Sequence, residues 1–283
     1  MGTKDDRRQA FLSVANGMIG LYPRDQHGAE EGFVTTAPDD ADQVLARTDI
    51  LQCVEPSAAT ALIKQLHPAE FRSGQIIFNQ GDPGDRVYFV IAGRVKLTLR
   101  GPADRTNLRA IMGPTDIFGE LAVFDPGPRT CTATAINHVR TMWLDRAALR
   151  GWMACEPAIT ERLLQVLSRR LRDTDDELVE LVSSDVAARV ARQLLVLARR
   201  FGTREGDALR VVHELSQDEM AQLVGADRVT VNKALRGFAT RGWIVVEGRS
   251  VLILHVEALT RRAGAGAGGP APNRRKRPLR ASA

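Results

Sequence analysis

The spacing of apolar residues changes along the chain, and its first pattern predicts a β-rich domain. From Gly74 to Leu144 apolar residues alternate with polar ones or form short runs, and glycines recur every 6 to 12 residues. Alternation with a period of 2 and frequent turn residues are typical of short strands. This segment is therefore predicted to form a compact β-sandwich or barrel.

After Pro157 the apolar period becomes helical and persists for about 25 residues. Leucines and threonines follow one another at alternating spacings of four and three, which is a heptad seam. The seam consists of Thr160, Leu164, Leu167, Leu171, Thr174, Leu178 and Leu181. It indicates two helices packed side by side, most simply from two copies of the chain. The alternative is an amphipathic helix packed on its own β-domain.

The region after residue 182 has the pattern of a small DNA-binding module. A Ser-Ser-Asp segment at 183–185 interrupts the long helix, and its aspartate is expected to cap a helix over Val186–Phe201. A capping box starts at Ser216, and Gly225 separates its helix from the next one. Trp243–Leu254 then has the pattern of a β-hairpin. Two short helices, a glycine turn and a hairpin are typical of a winged helix-turn-helix.

The positive charge belongs to one end of the chain. Of the 39 Lys and Arg residues, seven lie in 261–283, which has no acid, so residues 1–260 hold 32 bases against 34 acids. The net charge of +5 therefore does not by itself indicate a nucleic-acid partner. A local basic face does, at residues 227–241, where one acid, Asp227, is accompanied by Arg228, Lys233, Arg236 and Arg241.

Several protein classes are disfavoured. No stretch approaches the roughly 18 apolar residues of a membrane span, and the N-terminus lacks the apolar core of a secretory signal, so we expect a cytoplasmic protein without a membrane partner. Cys53, Cys131 and Cys155 are too widely spaced for a disulfide scaffold or a cysteine-rich metal site, and are expected to pack in the interior. Residues 1–43 show no sustained period and are expected to be a flexible extension.

The segment Phe118–Thr130 combines groups that suit a phosphodiester. Gly119 offers a backbone amide, and Arg129 and Thr130 bring a cation and a hydroxyl. The carboxylate of Glu120 can accept a hydrogen bond from a ribose hydroxyl. The alternative is a Glu120–Arg129 ion pair that only closes the loop.

This segment resembles the phosphate-binding cassette of cyclic-nucleotide-binding domains, and residues 80–95 resemble their GDxGDxxYxVxxGxV hairpin. With the long helix and the winged helix-turn-helix in the same order, the chain from about residue 44 to 260 resembles the cyclic-AMP receptor (Crp/Fnr) family of bacterial transcription regulators. The resemblance implies an α+β fold in five parts. These are a flexible extension (1–43), a β-roll or jelly-roll cyclic-nucleotide-binding domain (44–156), a dimerisation helix and hinge (157–184), a winged helix-turn-helix (185–260) and a basic disordered tail (261–283).

The resemblance also implies a ligand site, made by Gly119, Glu120, Leu121, Arg129, Thr130, Thr174 and Asp175. The first five would hold the cyclic phosphate and ribose, Thr174 would reach the base, and Asp175 would come from the partner chain. Asp175 stands where cyclic-AMP-binding members carry Ser or Asn, and Thr130 accompanies guanine recognition in some such domains. Cyclic AMP is the expected effector, cyclic GMP is the alternative, and no metal is expected.

For DNA the resemblance implies contacts from the second helix of the motif, at Arg228, Val229, Thr230, Asn232 and Lys233. Arg228 would read guanine, Thr230 would touch a phosphate, and Val229 stands where the family usually has Glu. The implied partners are a pseudo-palindromic double-stranded operator, a second copy of the chain and RNA polymerase. The assigned segments leave no room for an enzyme domain. Two alternatives remain open: DNA binding largely independent of nucleotide, and a response to haem-bound gas or thiol oxidation.

Overall fold

The computed structural model describes residues 38–101 and 106–264. The chain divides into two compact units, with the boundary on the long helix between Arg172 and Asp173. Most of the predicted N-terminal extension and of the basic tail lies outside the described residues. The first helix begins at Pro38, ahead of the predicted domain boundary at residue 44.

The N-terminal unit contains eight strands and several helices within the described residues. In chain order they are α1 (Pro38–Ala46), a 3-10 helix (Leu51–Cys53), α2 (Pro56–Ile63), β1 (His67–Phe71), β2 (Ile76–Phe78), β3 (Arg86–Ala92), β4 (Val95–Arg100), β5 (Thr106–Met112), β6 (Ile117–Phe118), α3 (Leu121–Phe124), β7 (Thr132–Ala135), β8 (Val139–Asp145), α4 (Arg146–Cys155) and the first part of α5 (Pro157–Ser183). The strands form two antiparallel four-stranded sheets, in the orders β1-β8-β3-β6 and β2-β7-β4-β5.

Strand β3 is buried on both faces because it lies between two hydrophobic cores. Val87, Phe89 and Ile91 belong to a core that β3 shares with the helices. Tyr88 and Val90 belong to a second core, formed between the two sheets. Side chains on a strand alternate between its faces, so a strand covered on both sides reads as an unbroken apolar run. The predicted β-rich domain therefore has the form of a roll that helices cover on one side.

The second unit contains the last part of α5 and a winged helix-turn-helix. The further elements are α6 (Val186–Phe201), β9 (Gly202–Glu205), β10 (Ala208–Val212), α7 (Gln217–Val224), α8 (Arg228–Thr240), β11 (Ile244–Glu247), β12 (Ser250–Ile253) and α9 (Val256–Gly264). The strands form one antiparallel sheet in the order β11-β12-β10-β9. The sequence pattern does not predict β9, because Gly-Thr-Arg-Glu has no alternation of apolar and polar residues.

Local capping sets the position of the two helices of the motif. Ser216 and Glu219 form the predicted capping box at the start of α7. Gly225 ends α7 in the left-handed conformation, at a φ of 67°. The side chain of Asp227 accepts a hydrogen bond from the Thr230 amide, 2.9 Å away, and so caps α8. Both helix starts are therefore fixed by short-range hydrogen bonds.

The structure corrects the start of the predicted basic tail. Residues 261–264 are helical because α9 continues through them, with Leu259 and Ala263 buried on its inner face. The guanidinium of Arg262 donates from Nη2 to both carboxylate oxygens of Asp185, each 2.6 Å away. Asp185 also caps α6 by accepting from the Ala188 amide at 2.8 Å. Arg262 thus fastens the last helix to the start of α6.

We predict that Asp185→Ala costs about 1 kcal/mol of unfolding free energy through the lost cap. Asp185→Asn keeps a capping oxygen and should cost less. The hydrogen bond from Arg262, followed by that from Ala188, lowers the pKa of Asp185. Because the folded-state pKa is depressed, this stabilisation is present above the unfolded pKa of about 3.9 and is lost as pH falls through the folded pKa.

Urea unfolding followed by circular dichroism at pH 7 and near pH 3.5 measures this difference. The advantage of the native protein over Asp185→Asn should shrink at the lower pH. An advantage equal at both pH values, or an Asn variant as weak as the Ala variant, contradicts the assignment.

Candidate functional sites

The loop between β2 and β3 packs against the cassette, the segment between β6 and β7. The Gly81 amide donates to the Arg129 carbonyl at 2.9 Å, and the Arg129 amide donates to the Asp82 carbonyl at 2.8 Å. Gly84 is buried here, and a Cβ at this position would lie 2.3 Å from the Cβ of Ala122. The two loops can approach this closely because residue 84 has no side chain.

Arg129 is a buried cation in this site. The residue is 4% exposed, its Nη1 donates to the Gly119 carbonyl at 2.7 Å, and its Cζ lies 4.2 Å from the centre of the Phe78 ring. Burial lowers the pKa of the guanidinium below its ordinary value. Its Nε is buried and has no hydrogen-bond partner among the described residues. A buried guanidinium with an unsatisfied N–H is suited to receive an anion.

Gly119 makes room for this guanidinium. Its φ of 81° lies in the left-handed region, and a Cβ on it would be 2.7 Å from Nη1 of Arg129. A side chain at this position would therefore both strain the backbone and displace the cation.

The carboxylate of Glu120 pairs with Arg170 of the long helix and not with Arg129 of its own loop. The residue is 6% exposed, and its Oε1 accepts from Nη1 of Arg170 on α5 at 2.5 Å. Arg170 also donates through Nη2 to the Ile117 carbonyl. The alternative of a Glu120–Arg129 pair is therefore not what the structure contains. The predicted ligand site does not include Arg170. The sequence feature that could have identified it is a carboxylate expected inside the roll together with arginines on the long helix.

The structure brings together the cassette residues of the predicted ligand site within the N-terminal unit. Leu121 is half-exposed and Thr130 is exposed, next to the cassette residues described above. Thr174 and Asp175 lie on the part of α5 that belongs to the second unit, Thr174 half-buried and Asp175 exposed. Their contact with a ligand stays a prediction from the resemblance.

The seam of α5 is exposed in this single chain. Ile159 and Leu163 are buried and pack the helix on its own unit, whereas Leu164 and Leu171 of the seam are 60% and 63% exposed. Leu178 and Leu181 are also exposed, and Leu167 and Thr174 are half-buried. The helix thus uses a neighbouring set of residues for packing within the chain and presents a leucine stripe outward.

The predicted DNA-contacting residues all lie on the first turns of α8. Arg228, Val229 and Lys233 are exposed, and Thr230 and Asn232 are half-buried. Val229 is 77% exposed, which is unusual for an apolar side chain. Arg228 and Asn232 both donate to Gln217 of α7, a residue that sequence reasoning missed.

Comparison with known proteins identifies the two domains in which these candidate sites lie. The model of the cyclic nucleotide-binding domain matches residues 68–154, and that of the Crp-like helix-turn-helix domain matches residues 188–262. A CRP-like cAMP-activated global transcriptional regulator from Mycobacterium tuberculosis is 59% identical over 222 residues, which are 78% of this chain and 99% of that protein. The chain belongs to the Crp/Fnr family.

Two further relatives of this Crp/Fnr regulator come from Thermus thermophilus. The cyclic AMP receptor protein is 33% identical over 181 residues, 63% of this chain and 78% of that protein. The crystal structure of a CRP/FNR-family transcriptional regulator gives a TM-score of 0.60 at 26% identity, covering 71% of this chain and 100% of that one. The predicted α+β fold and the prediction of a DNA-binding transcription regulator with a cyclic nucleotide-binding domain are confirmed.

Membrane-spanning helices and metal-binding clusters are both absent from the described residues of this Crp/Fnr regulator. Within 38–101 and 106–264, no helix combines the length and apolarity needed to cross a bilayer. In the same ranges, no three His, Cys, Asp or Glu side chains are grouped so that they could hold a metal ion.

We predict that removing Arg170 destabilises the N-terminal unit. Arg170→Ala leaves the Glu120 carboxylate buried without its cation and should cost about 1–3 kcal/mol of unfolding free energy. Arg172→Ala is the matched control, because Arg172 is exposed on the same helix. It should stay within about 0.5 kcal/mol of the native protein.

The measurement is denaturant unfolding of the nucleotide-free protein in a Trp243→Phe background. Fluorescence then reports on Trp143 and Trp152, both in the N-terminal unit. Equal stabilities for the Arg170 and Arg172 variants would show that the ion pair contributes nothing.

Proposed function

We propose that this protein is a homodimeric transcription regulator whose affinity for operator DNA is controlled by a cyclic nucleotide, with cyclic AMP as the effector. The observation that supports it best is the buried Arg129 guanidinium, with an unsatisfied Nε and no carboxylate paired to it among the described residues. The 59% identical relative from Mycobacterium tuberculosis is described as cAMP-activated, which supports this choice of effector.

In this proposal the cyclic phosphate supplies the anion that Arg129 lacks. The negative charge offsets the desolvation of the guanidinium, and the phosphate oxygens accept from its N–H groups and from Thr130. The ribose hydroxyl donates to Glu120. That carboxylate already accepts from Arg170 on α5 at 2.5 Å, so the ribose and the long helix share one acceptor. Ligand binding therefore alters the contact between the cassette and the long helix directly.

The exposed seam supports a dimer through α5. A stripe of leucines at alternating spacings of three and four is the pattern that two-helix interfaces use. Pairing through this helix places two recognition helices in one particle. Such helices read successive major grooves when they lie about 34 Å apart. A nucleotide that acts on α5 can thus control DNA affinity through that spacing.

The same proposal includes further properties of a Crp/Fnr regulator: no catalytic activity, a cytoplasmic location, and RNA polymerase as a partner. The sequence alternative of thiol sensing is less well supported. Cys53 is exposed and Cys131 and Cys155 are half-buried, so the expectation that the cysteines pack in the interior is wrong for Cys53. Partial burial raises the pKa of Cys131. A raised pKa reduces the thiolate fraction, which is the reactive form of the side chain.

We predict that Arg129→Ala loses about 2–5 kcal/mol of cyclic AMP binding free energy, as expected when one partner of a buried charge pair is truncated. Arg129→Lys keeps the charge without the planar guanidinium, so its affinity for cyclic AMP should lie between those of the native protein and Arg129→Ala. Arg150→Ala, at an exposed position of α4, is the control and should bind as the native protein does.

Calorimetry with cyclic AMP and with cyclic GMP gives these affinities, and circular dichroism checks that each variant is folded. Native affinity in folded Arg129→Ala would refute the site. Tighter binding of cyclic GMP than of cyclic AMP would replace the effector named here.

We predict that Leu171→Lys and Leu178→Lys each shift the protein toward monomer, because a charge then replaces an apolar seam residue. Val179→Lys is the matched control: Val179 is 64% exposed on the same helix but lies outside the seam. Sedimentation velocity measures the oligomeric state. If both leucine variants remain dimeric, the interface lies elsewhere.

A further inference from the structure

Four polar side chains connect the start of α7 to the start of α8, and Gln217 is at their centre. The Gln217 Oε1 atom accepts from Nε and Nη2 of Arg228, at 3.2 and 3.1 Å. It also accepts from Nδ2 of Asn232 at 3.0 Å. The Asp218 carboxylate lies 3.3 Å from Nη1 of Arg228. We call these four side chains the Gln217 cluster.

The backbone around the Gln217 cluster is held on both sides. Gln217 and Asp218 directly follow the capping residue Ser216, which fixes the first turn of α7. Arg228 directly follows Asp227, which caps α8. Because both helix starts are set, the acceptor of Gln217 has a defined position relative to Arg228. These caps set the backbone but not the orientation of the long Arg228 side chain.

The pattern of donors leaves Arg228 able to read a base. A guanidinium has five N–H donors, and Gln217 uses the edge formed by Nε and one N–H of Nη2. The opposite edge carries one N–H from Nη1 and one from Nη2, parallel to each other. Two parallel donors match O6 and N7 of guanine in the major groove. Asp218 contacts Nη1 and therefore competes for that edge.

Val229 makes this arrangement matter more in this chain. Val229 directly follows Arg228 and is exposed, and its apolar side chain cannot accept a hydrogen bond from the guanidinium. Among the described residues, the carboxylate within ion-pair distance of Arg228 comes from α7, at Asp218. The two side chains that contact the Arg228 guanidinium, Gln217 and Asp218, therefore both belong to the first helix of the motif.

We propose that Gln217 is a positioning residue that orients Arg228 for guanine, and that Asp218 is an acidic competitor which DNA displaces from Nη1. This inference rests on the proposed role of Arg228 in reading DNA. Gln217 determines how strongly one base pair is discriminated. Asp218 lowers affinity for all DNA because its negative charge opposes phosphates of any sequence, and lowers it further for sites with the guanine because it contacts Nη1.

The test uses the full chain with saturating cyclic AMP. Sites selected from a randomised DNA library identify the guanine that depends on Arg228. Dissociation constants are then measured at one salt concentration for the selected site, for the same site with that guanine replaced, and for unrelated DNA. The proteins are native, Arg228→Ala, Gln217→Ala, Gln217→Glu, Asp218→Asn and Gln222→Ala. Gln222 is the control, since it lies on the same helix and takes no part in the cluster.

Gln217→Ala should reduce guanine discrimination roughly 2- to 12-fold, which corresponds to the ordering of one long side chain, without changing affinity for unrelated DNA. Gln217→Glu keeps an acceptor and should retain the discrimination. Asp218→Asn should strengthen binding to both specific and unrelated DNA, by roughly 1.5- to 5-fold, with the larger gain at the site that contains the guanine. Gln222→Ala should discriminate as the native protein does.

The outcomes separate the two proposals. If Arg228→Ala keeps the native guanine preference, the proposed DNA role of Arg228 is wrong and this inference fails with it. If Arg228→Ala loses the preference while Gln217→Ala discriminates as Gln222→Ala does, only the positioning role is wrong. An Asp218→Asn protein with unchanged affinity for both DNAs overturns the competitor role.

Discussion

The N-terminal unit is organised around the burial of the Arg129 guanidinium. Removing a charge from water is costly unless hydrogen bonds or a counter-charge compensate. Here a glycine carbonyl and the face of Phe78 compensate in part, and Nε has no partner among the described residues. Gly84 and Gly119 leave room for this cation, because a side chain at either position would crowd it. In the proposed function the cyclic phosphate completes the compensation.

The long helix connects that site to the rest of the molecule through side chains of its own. Arg170 contacts Glu120 in the cassette, and Arg162 is paired with Asp49 at 2.8 Å. Further along, Glu180 is paired with Arg192 of the winged domain. One helix thus holds ion pairs to the ligand-binding unit near its start and to the DNA-binding unit near its end. A change in the cassette contacts therefore acts directly on α5, the helix that carries the leucine seam.

The sequence predicts the features that short-range patterns determine. The capping box at Ser216, the cap at Asp185 and the alternation that makes the roll follow from residues close together in the chain. The partners of charged groups could not be predicted in this way. Glu120 and Arg170 are far apart in sequence, and only the packing of the helix on the roll brings them together. The same holds for Arg262, which sequence composition assigned to a tail although α9 places it on Asp185.

The proposed function requires nucleotide binding and DNA binding to be coupled. Measuring operator affinity with and without cyclic AMP, and cyclic AMP affinity with and without operator, tests it most directly. Linkage requires the change in operator affinity to equal the product of the changes in cyclic AMP affinity at the two sites of the dimer, and coupling factors are typically about 5 to 150. We expect that equality to hold, with operator affinity higher in the presence of cyclic AMP by a factor of about 5 to 150. Operator affinity that is the same with and without cyclic AMP would contradict it.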